Sequence, residues 1–165
     1  AVHLDILRQI QFETGGFTEF VPLSFVHYDS PLYLENPSEV RPGATENEIE
    51  LMHAVSRIIL SGFIDNIQVS WTKLGPQKAR NLLSMGVNDL GGTLMNESIS
   101  RSAGSKNGQE ITEAEMIKII RSASKIPIRR DTLYREIKCY NLEDTINTTD
   151  PLVSRDGTNP LCFLN

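Results

Sequence analysis

Short apolar runs in this chain repeatedly give way to helical patterns, and that order constrains the fold more than any other feature. Asn66–Lys73 sets Ile67, Val69 and Trp71 against Gln68, Ser70 and Thr72, a period of two that predicts a strand with one packed and one polar face. Leu74-Gly75-Pro76 punctuates it, and Pro76 suits the first position of a helix whose buried stripe is Ala79, Leu82 and Leu83, stopped at Gly86. Phe17–Val26 is aromatic and branched, which predicts a strand at its start and a loop after Pro22. Val87–Leu90 predicts another. Strand-then-helix units with crossovers of this length predict an α/β fold with a parallel sheet, which needs helices on both faces or closure into a barrel. A (β/α) barrel takes about eight strands over about 250 residues. If these 165 residues are barrel material, they hold only its C-terminal part. Cut in this way, such a barrel exposes an apolar edge and part of its interior, so the chain alone is expected to be marginal or sticky.

The helices carry their own start and stop signals. Leu4, Ile6, Leu7 and Ile10 form the stripe of an N-terminal helix over Leu4–Phe12, ended by Gly15-Gly16. Thr45-Glu46-Asn47-Glu48 and Thr112-Glu113-Ala114-Glu115 are capping boxes, in which the threonine hydroxyl and the glutamate carboxylate each take one of the other's backbone N–H groups. After the first, Ile49, Met52, Val55, Ile59 and Phe63 are expected inward; after the second, Met116, Ile119, Ile120 and Ala123. Between helix and box, His27–Gly43 holds Pro31, Pro37 and Pro42 and is too long for a simple connection, which suggests a functional lid or a flexible insertion. Ile128–Ile137 is expected to supply one more extended segment. From Asn141 to Asn165 the composition turns polar and reads as irregular, so residues 1–137 are taken as the folded portion and 138–165 as a tail.

Composition excludes some functions. A net charge of -5, with no clustering of Lys and Arg among aromatics, argues against a nucleic-acid surface, and the basic doublet Arg129-Arg130 reads as solvated. No apolar run approaches the roughly 20 residues of a membrane span. The two cysteines, Cys139 and Cys162, give no disulfide framework and fit a reducing compartment. Without an initiator methionine or a targeting signal, Ala1 reads as a fragment boundary; the expected location is cytoplasmic, or organellar if a targeting segment lies upstream.

Asn88–Gly104 is the stretch richest in chemistry. A strand ends there in Gly91-Gly92-Thr93, where backbone can approach a ligand closely and successive N–H groups can hold an anion. Asn96, Glu97, Ser98, Ser100 and Arg101 follow within a few residues, at the carboxyl end of a strand, where α/β folds place ligands. Asp89, Thr93, Glu97 and Arg101 are therefore candidate ligand contacts, against the plain reading of a tight turn and solvated loop. Glu19 joins them because a carboxylate in an otherwise apolar strand is costly unless paired, although an exposed strand position is equally consistent. Trp71 is either a stacking surface or a core residue. Glu50 and His53 have Glu-x-x-His spacing, but in a single copy, and His27 lacks partners at ligand spacing, so no metal ligand is assigned.

Three blocks, in order, carry a resemblance: Gly16-Phe17-Thr18-Glu19-Phe20-Val21-Pro22-Leu23, Asn66 through Pro76, and Asn88 through Gly104. Over about Val2–Ile137 the chain resembles the C-terminal half of the radical S-adenosylmethionine (SAM) enzymes that make deazaflavin, the CofH-type tyrosine 4-hydroxyphenyl transferase family of FO synthase. Menaquinone-pathway futalosine enzymes share the layout, but Ser70-Trp71 and Gly91-Gly92-Thr93-Leu94-Met95 are worded as in the deazaflavin branch. The resemblance implies a radical SAM (β/α) barrel and two cofactors, SAM and a [4Fe-4S] cluster. It implies that the 4-hydroxybenzyl group of tyrosine is moved onto 5-amino-6-(ribitylamino)uracil, before a ring-closing partner completes FO, the coenzyme F-420 chromophore. In that family a C-x-x-x-C-x-x-C run near the N-terminus holds the cluster, and this chain has none. It is thus expected to be inactive without an N-terminal cluster-binding half. The alternatives are a non-catalytic remnant or a ligand-binding module.

Overall fold

The computed structural model describes residues 1–94, 97–107 and 110–141 and the backbone of 160–164. Helix α1 (Val2–Thr14) ends where Gly15 turns left-handed and donates its N–H to the Gln11 carbonyl. The chain from Phe17 onward pairs with its neighbour through a single parallel bridge, Phe20 to Ile67, so the expected strand over Phe17–Val26 shrinks to one rung. The proline-rich segment carries a short helix, α2 (Pro31–Glu35), and is tied down where the Asp29 N–H donates to the Ala103 carbonyl at 3.0 Å. Helix α3 (Glu46–Leu60) opens with the expected capping box, which Arg41 reinforces by pairing with Glu48.

Asn66–Ser70 runs extended, with Ile67 and Val69 fully buried as the alternation predicts. The strand stops sooner than expected, because Trp71–Leu74 coils into α4 and Pro76 then starts α5 (Pro76–Leu82). Strand β1 (Asp89–Gly92) follows, then α6 (Ile99–Ser102) and α7 (Glu113–Ser122), the latter with the second expected capping box. Strands β2 (Ile126–Arg130) and β3 (Glu136–Cys139) form a hairpin where a single extended segment was expected. Its turn is built by Asp131, whose carboxylate accepts from the Leu133 and Arg135 N–H groups at 2.8 and 2.9 Å.

The tail is not irregular at its end. Pro160–Leu164 forms β4, which lies between β1 and β2 and runs against both, in the order β1-β4-β2-β3. Residues 142–159 of the expected irregular stretch lie outside the described residues. Every ladder of this sheet is antiparallel, which corrects the expected parallel sheet. Parallel pairing survives in the bridges Phe20 to Ile67 and Gln68 to Asp89, while β1 and β2 run the same way on either side of β4 without pairing with each other. The result is a small mixed helix-and-strand domain.

One core, built on Leu60, Ile67, Val69, Leu82, Leu83, Leu90, Met116, Ile117 and Ile120, joins α3, α5, α7 and β1. On α3 the inward face is Ile49, His53, Ser56 and Leu60, with Ile59 packed beside it as expected, while Met52 and Val55, and Phe63 just past the helix end, all expected inside, are exposed. On α1 only Leu4 is buried; Ile6 and Ile10 face out. Phe12, Leu23, Leu32 and Ile58 add to a considerable exposed apolar surface. Among the described residues no helix is long and apolar enough to cross a membrane.

Candidate functional site

A cleft of about 460 Å³ opens where Gln68–Thr72 and Leu90–Gly92 run past their bridges, with Thr18 and Glu19 on one wall. The turn after β2 folds over it and brings Arg130, Thr132 and Tyr134 to the rim. Its volume falls in the range of small-molecule sites, roughly 300–1,000 Å³. Local chemistry explains why the backbone takes this route. Asn88 accepts from the Ile67 N–H at 2.8 Å and from Arg57 at 2.8 Å, and donates to the Asp65 carbonyl at 3.1 Å, so it stitches β1 to the neighbouring segment. Gly91, at φ 72°, then turns where a Cβ would lie 3.2 Å from the Gln68 carboxamide.

At the base lies a buried ion pair. Arg130, 5% exposed, donates through Nε to Asp89 Oδ2 at 2.7 Å and through its second amino group to the same carboxylate, which is wholly buried. Asp89 also accepts the Gly91 N–H at 2.6 Å. Burial pushes the Asp89 carboxyl above its ordinary value, and Arg130 with the Gly91 N–H pulls it back. We hold the pair to be ionised, because each member offers the other charge-assisted hydrogen bonds.

Above the pair, the Tyr134 ring lies 3.7 Å from the Arg130 guanidinium carbon, and its hydroxyl donates to Glu19. Tyr134 has φ 61°, a conformation that a bulky residue rarely adopts and that costs of order 1–3 kcal/mol. Burial first, then the Asp89 charge and the Glu19 carboxylate, push the Tyr134 hydroxyl well above its ordinary value, so it stays a donor. Glu19 Oε2 lies 3.8 Å from Arg130, and the Glu19 side chain is 37% exposed to the cleft.

Of the residues expected at a site, Glu19, Trp71 and Asp89 come together here. Trp71 is buried and lines the cleft, and its Nε1 donates to the Gly92 carbonyl at 3.1 Å, holding the glycine turn in place. Thr93 is half-buried, between the lining residues Gly92 and Leu94. Glu97 is not in the cleft wall; its carboxylate accepts the Ser100 N–H at 3.0 Å at the start of α6. Arg101 sits exposed on α6, away from the wall. Asn96 lies outside the described residues.

The sequence reading missed Arg130 and Tyr134, and its view of Arg130 as solvated is wrong, since the side chain is buried on Asp89. It also gave no role to Gln68, Ser70 and Thr72, although their place on the polar face of the alternation was a usable signal. His53 is buried with Nδ1 on the Ile49 carbonyl at 2.7 Å, and Glu50 pairs with Lys78 at 2.8 Å. That spacing therefore serves a helix and a salt bridge. A [4Fe-4S] cluster requires thiolates, usually several close together. Among the described residues no group of three His, Cys, Asp or Glu side chains is placed to hold a metal, and Cys139 sits on β3 beside Asn141. The residues present do not fit a cluster.

Fold and site together define a small mixed helix-and-strand domain with a cleft lined by strand ends and a strained turn. Residues 14–141 match the family described as the CofH/MqnC C-terminal region, and the chain belongs to that family. It is 51% identical over 136 residues to a protein of Methanothermobacter thermautotrophicus named 5-amino-6-(D-ribitylamino)uracil–L-tyrosine 4-hydroxyphenyl transferase, covering 82% of this chain and 36% of that protein. Over 134 residues it is 52% identical to such a transferase of Methanosarcina mazei, covering 81% of this chain and 36% of that protein. The FO synthase of Mycobacterium leprae is 52% identical over 132 residues, covering 80% of this chain and 15% of that protein. The chain thus spans about a third of the transferases it matches and a smaller share of the FO synthases.

Proposed function

We propose that this chain is the C-terminal portion of a radical SAM transferase of deazaflavin biosynthesis, moving the 4-hydroxybenzyl group of tyrosine onto 5-amino-6-(ribitylamino)uracil. The observation that carries the reading is identity near 50% to proteins bearing that name, together with a family match over residues 14–141, which include the cleft residues from Glu19 to Tyr134. In this reading the segments around Phe20, Ile67 and β1 are late staves of a barrel, and the remainder of the fold covers the exposed faces of α1 and α3. That remainder also holds the [4Fe-4S] cluster and most of the contacts to SAM. The residues of this chain shape the wall facing the substrate: Glu19 and Tyr134, supported from below by the Arg130–Asp89 pair, orient a polar group, while Trp71 and the Gly91-Gly92 turn set the depth of the cleft and exclude water. Thr93, Glu97 and Arg101 remain proposed contacts on the loop beyond β1. The protein works away from membranes and nucleic acids, in the cytoplasm or an organelle, alongside a ring-closing FO synthase activity.

The test joins this chain to the N-terminal region of the Methanothermobacter relative and supplies the cluster, SAM and both substrates without oxygen. Consumption of tyrosine with appearance of the coupled product is expected. An iron–sulfur-loaded fusion that cleaves SAM but leaves tyrosine untouched overturns the reading in favour of a ligand-binding remnant, and turnover of a futalosine-type substrate moves it to the menaquinone branch.

A further inference from the structure

The charges around the cleft do not balance. Arg130 is committed to Asp89 through two donors, and a third reaches the Asp131 carbonyl at 2.9 Å, so its charge is met below the cleft floor. The other lining side chains, Thr18, Gln68, Ser70, Thr72, Thr132 and Tyr134, are neutral at physiological pH. Glu19 is the second carboxylate on this one guanidinium, 3.8 Å from Arg130, so two carboxylates share a single cation and the cleft keeps a net negative charge that Glu19 carries at the opening. Its Oε2 takes the Tyr134 hydroxyl, and Oε1 has no hydrogen-bond partner among the described residues. Tyr134 is held at φ 61° with its ring on Arg130, so the donor that fixes Glu19 is itself fixed at a cost in backbone strain. A carboxylate held in this way, with one oxygen free in a partly desolvated cleft, is a receptor for a cationic N–H donor.

We propose that Glu19 binds the α-ammonium group of an amino-acid ligand, with Tyr134 as the residue that positions it. This deepens the functional reading above, since tyrosine is the amino acid in the relatives' name, and SAM is the other source of the same group. A neutral amine such as that of the aminouracil fits less well, because it does not offset the net negative charge of two carboxylates on one arginine.

The test is a calorimetric titration of the full chain joined to the relative's N-terminal region, free of cluster. The probes are tyrosine, tyramine, 3-(4-hydroxyphenyl)propanoate and SAM, against the parent, Glu19→Gln and Tyr134→Phe. Tyrosine and tyramine are expected to bind the parent at least tenfold more tightly than the propanoate, which lacks the amino group. Glu19→Gln, which keeps shape and an acceptor for Tyr134, is expected to weaken both amines 10- to 100-fold and to leave the propanoate within threefold. Tyr134→Phe should reduce the same amine-to-propanoate ratio by a smaller factor, a selectivity change that a purely structural role would not produce. If SAM alone shows the Glu19 dependence, the α-ammonium assignment stands with SAM as its source. Equal loss of amines and propanoate in Glu19→Gln, or amine binding that ignores the substitution, overturns the inference even if the fusion turns over tyrosine. Glu19-dependent amine binding in a cluster-loaded fusion that makes no product overturns the functional reading alone.

Discussion

Removing the charge of Asp89 while keeping its shape is the sharpest probe of how the cleft is held. Asp89→Asn conserves volume and an acceptor for the Gly91 N–H, but takes from the Arg130 guanidinium, 5% exposed, its buried counter-ion and leaves it only Glu19 at 3.8 Å. Breaking a buried pair from one side costs about 3–5 kcal/mol, because the remaining charge is stranded away from water. That is a large part of a domain stability of about 5–15 kcal/mol, and for a chain of this size it lowers Tm by roughly 6–20 °C. By contrast, the exposed pair Arg8 with Asp5 contributes at most about 0.5 kcal/mol, so Arg8→Ala is the control. The double substitution Asp89→Leu with Arg130→Met removes both charges, and apolar replacements of similar size often equal or exceed the stability of a buried pair. The double variant should recover most of the loss and still bind no ligand, which separates the pair's role in folding from its role beneath Tyr134. Urea unfolding at neutral pH measures all four proteins. Asp89→Asn within 1 kcal/mol of the parent, or a double variant no better than the single, would refute the argument that burial makes the pair interdependent.

Other consequences are smaller but equally concrete. Gly86 and Gly62 both have positive φ, 96° and 76°, but a Cβ on Gly86 would lie 2.6 Å from the Arg57 side chain and one on Gly62 meets nothing. Gly62→Ala should therefore cost about 1 kcal/mol and Gly86→Ala clearly more, read from urea midpoints; equal losses would show that conformation alone decides. The bond from Arg41, then those from the Thr45 backbone and hydroxyl, hold the Glu48 carboxyl down to about 2 from an ordinary 4.5. A depressed carboxyl stabilises the fold fully above its unfolded value and loses that contribution as pH falls from about 4.5 toward 2. The parent's urea midpoint should thus fall more steeply over that window than that of Glu48→Gln, and parallel curves would contradict it. Trp71→Phe strands the Gly92 carbonyl that Nε1 now satisfies, and should destabilise by about 1–3 kcal/mol while raising hydrogen exchange at β1; unchanged exchange there would release Trp71 from its positioning role.

What could be read from the sequence was what short-range chemistry decides. Both capping boxes, the Gly15 stop and Pro76 at a helix start are settled within four residues and form as the sequence predicts. The inward face of α3 was only partly legible: Ile49 and Ile59 pack on the core as expected, but the apolar residues at 49, 51, 52, 55, 58, 59 and 60 spread over about half of the helix circumference, and the buried stripe runs along one edge of that arc. Contacts across the chain chose His53 and Ser56 instead, each bonded to a carbonyl one turn back, His53 through Nδ1 to Ile49 and Ser56 to Met52. The sheet was misjudged for a related reason: strand direction follows from partners far along the chain, and β4 reaches β1 from some seventy residues away. Half of the candidate site was visible as types, since a carboxylate in an apolar run, a polar strand face and a double glycine each point to a ligand wall. The other half was hidden because Arg130 looks like any surface arginine until Asp89, 41 residues earlier, is seen beneath it. Tyr134 carries no local sign at all, since its turn is built by Asp131 without glycine or asparagine. Its left-handed backbone is held by its own N–H on the Asp131 carbonyl at 3.1 Å, by the stacking on Arg130 and by the bond to Glu19. The residues hardest to find are thus those whose conformations are strained or whose charges are buried, and at both positions only the assembled cleft accounts for the residue.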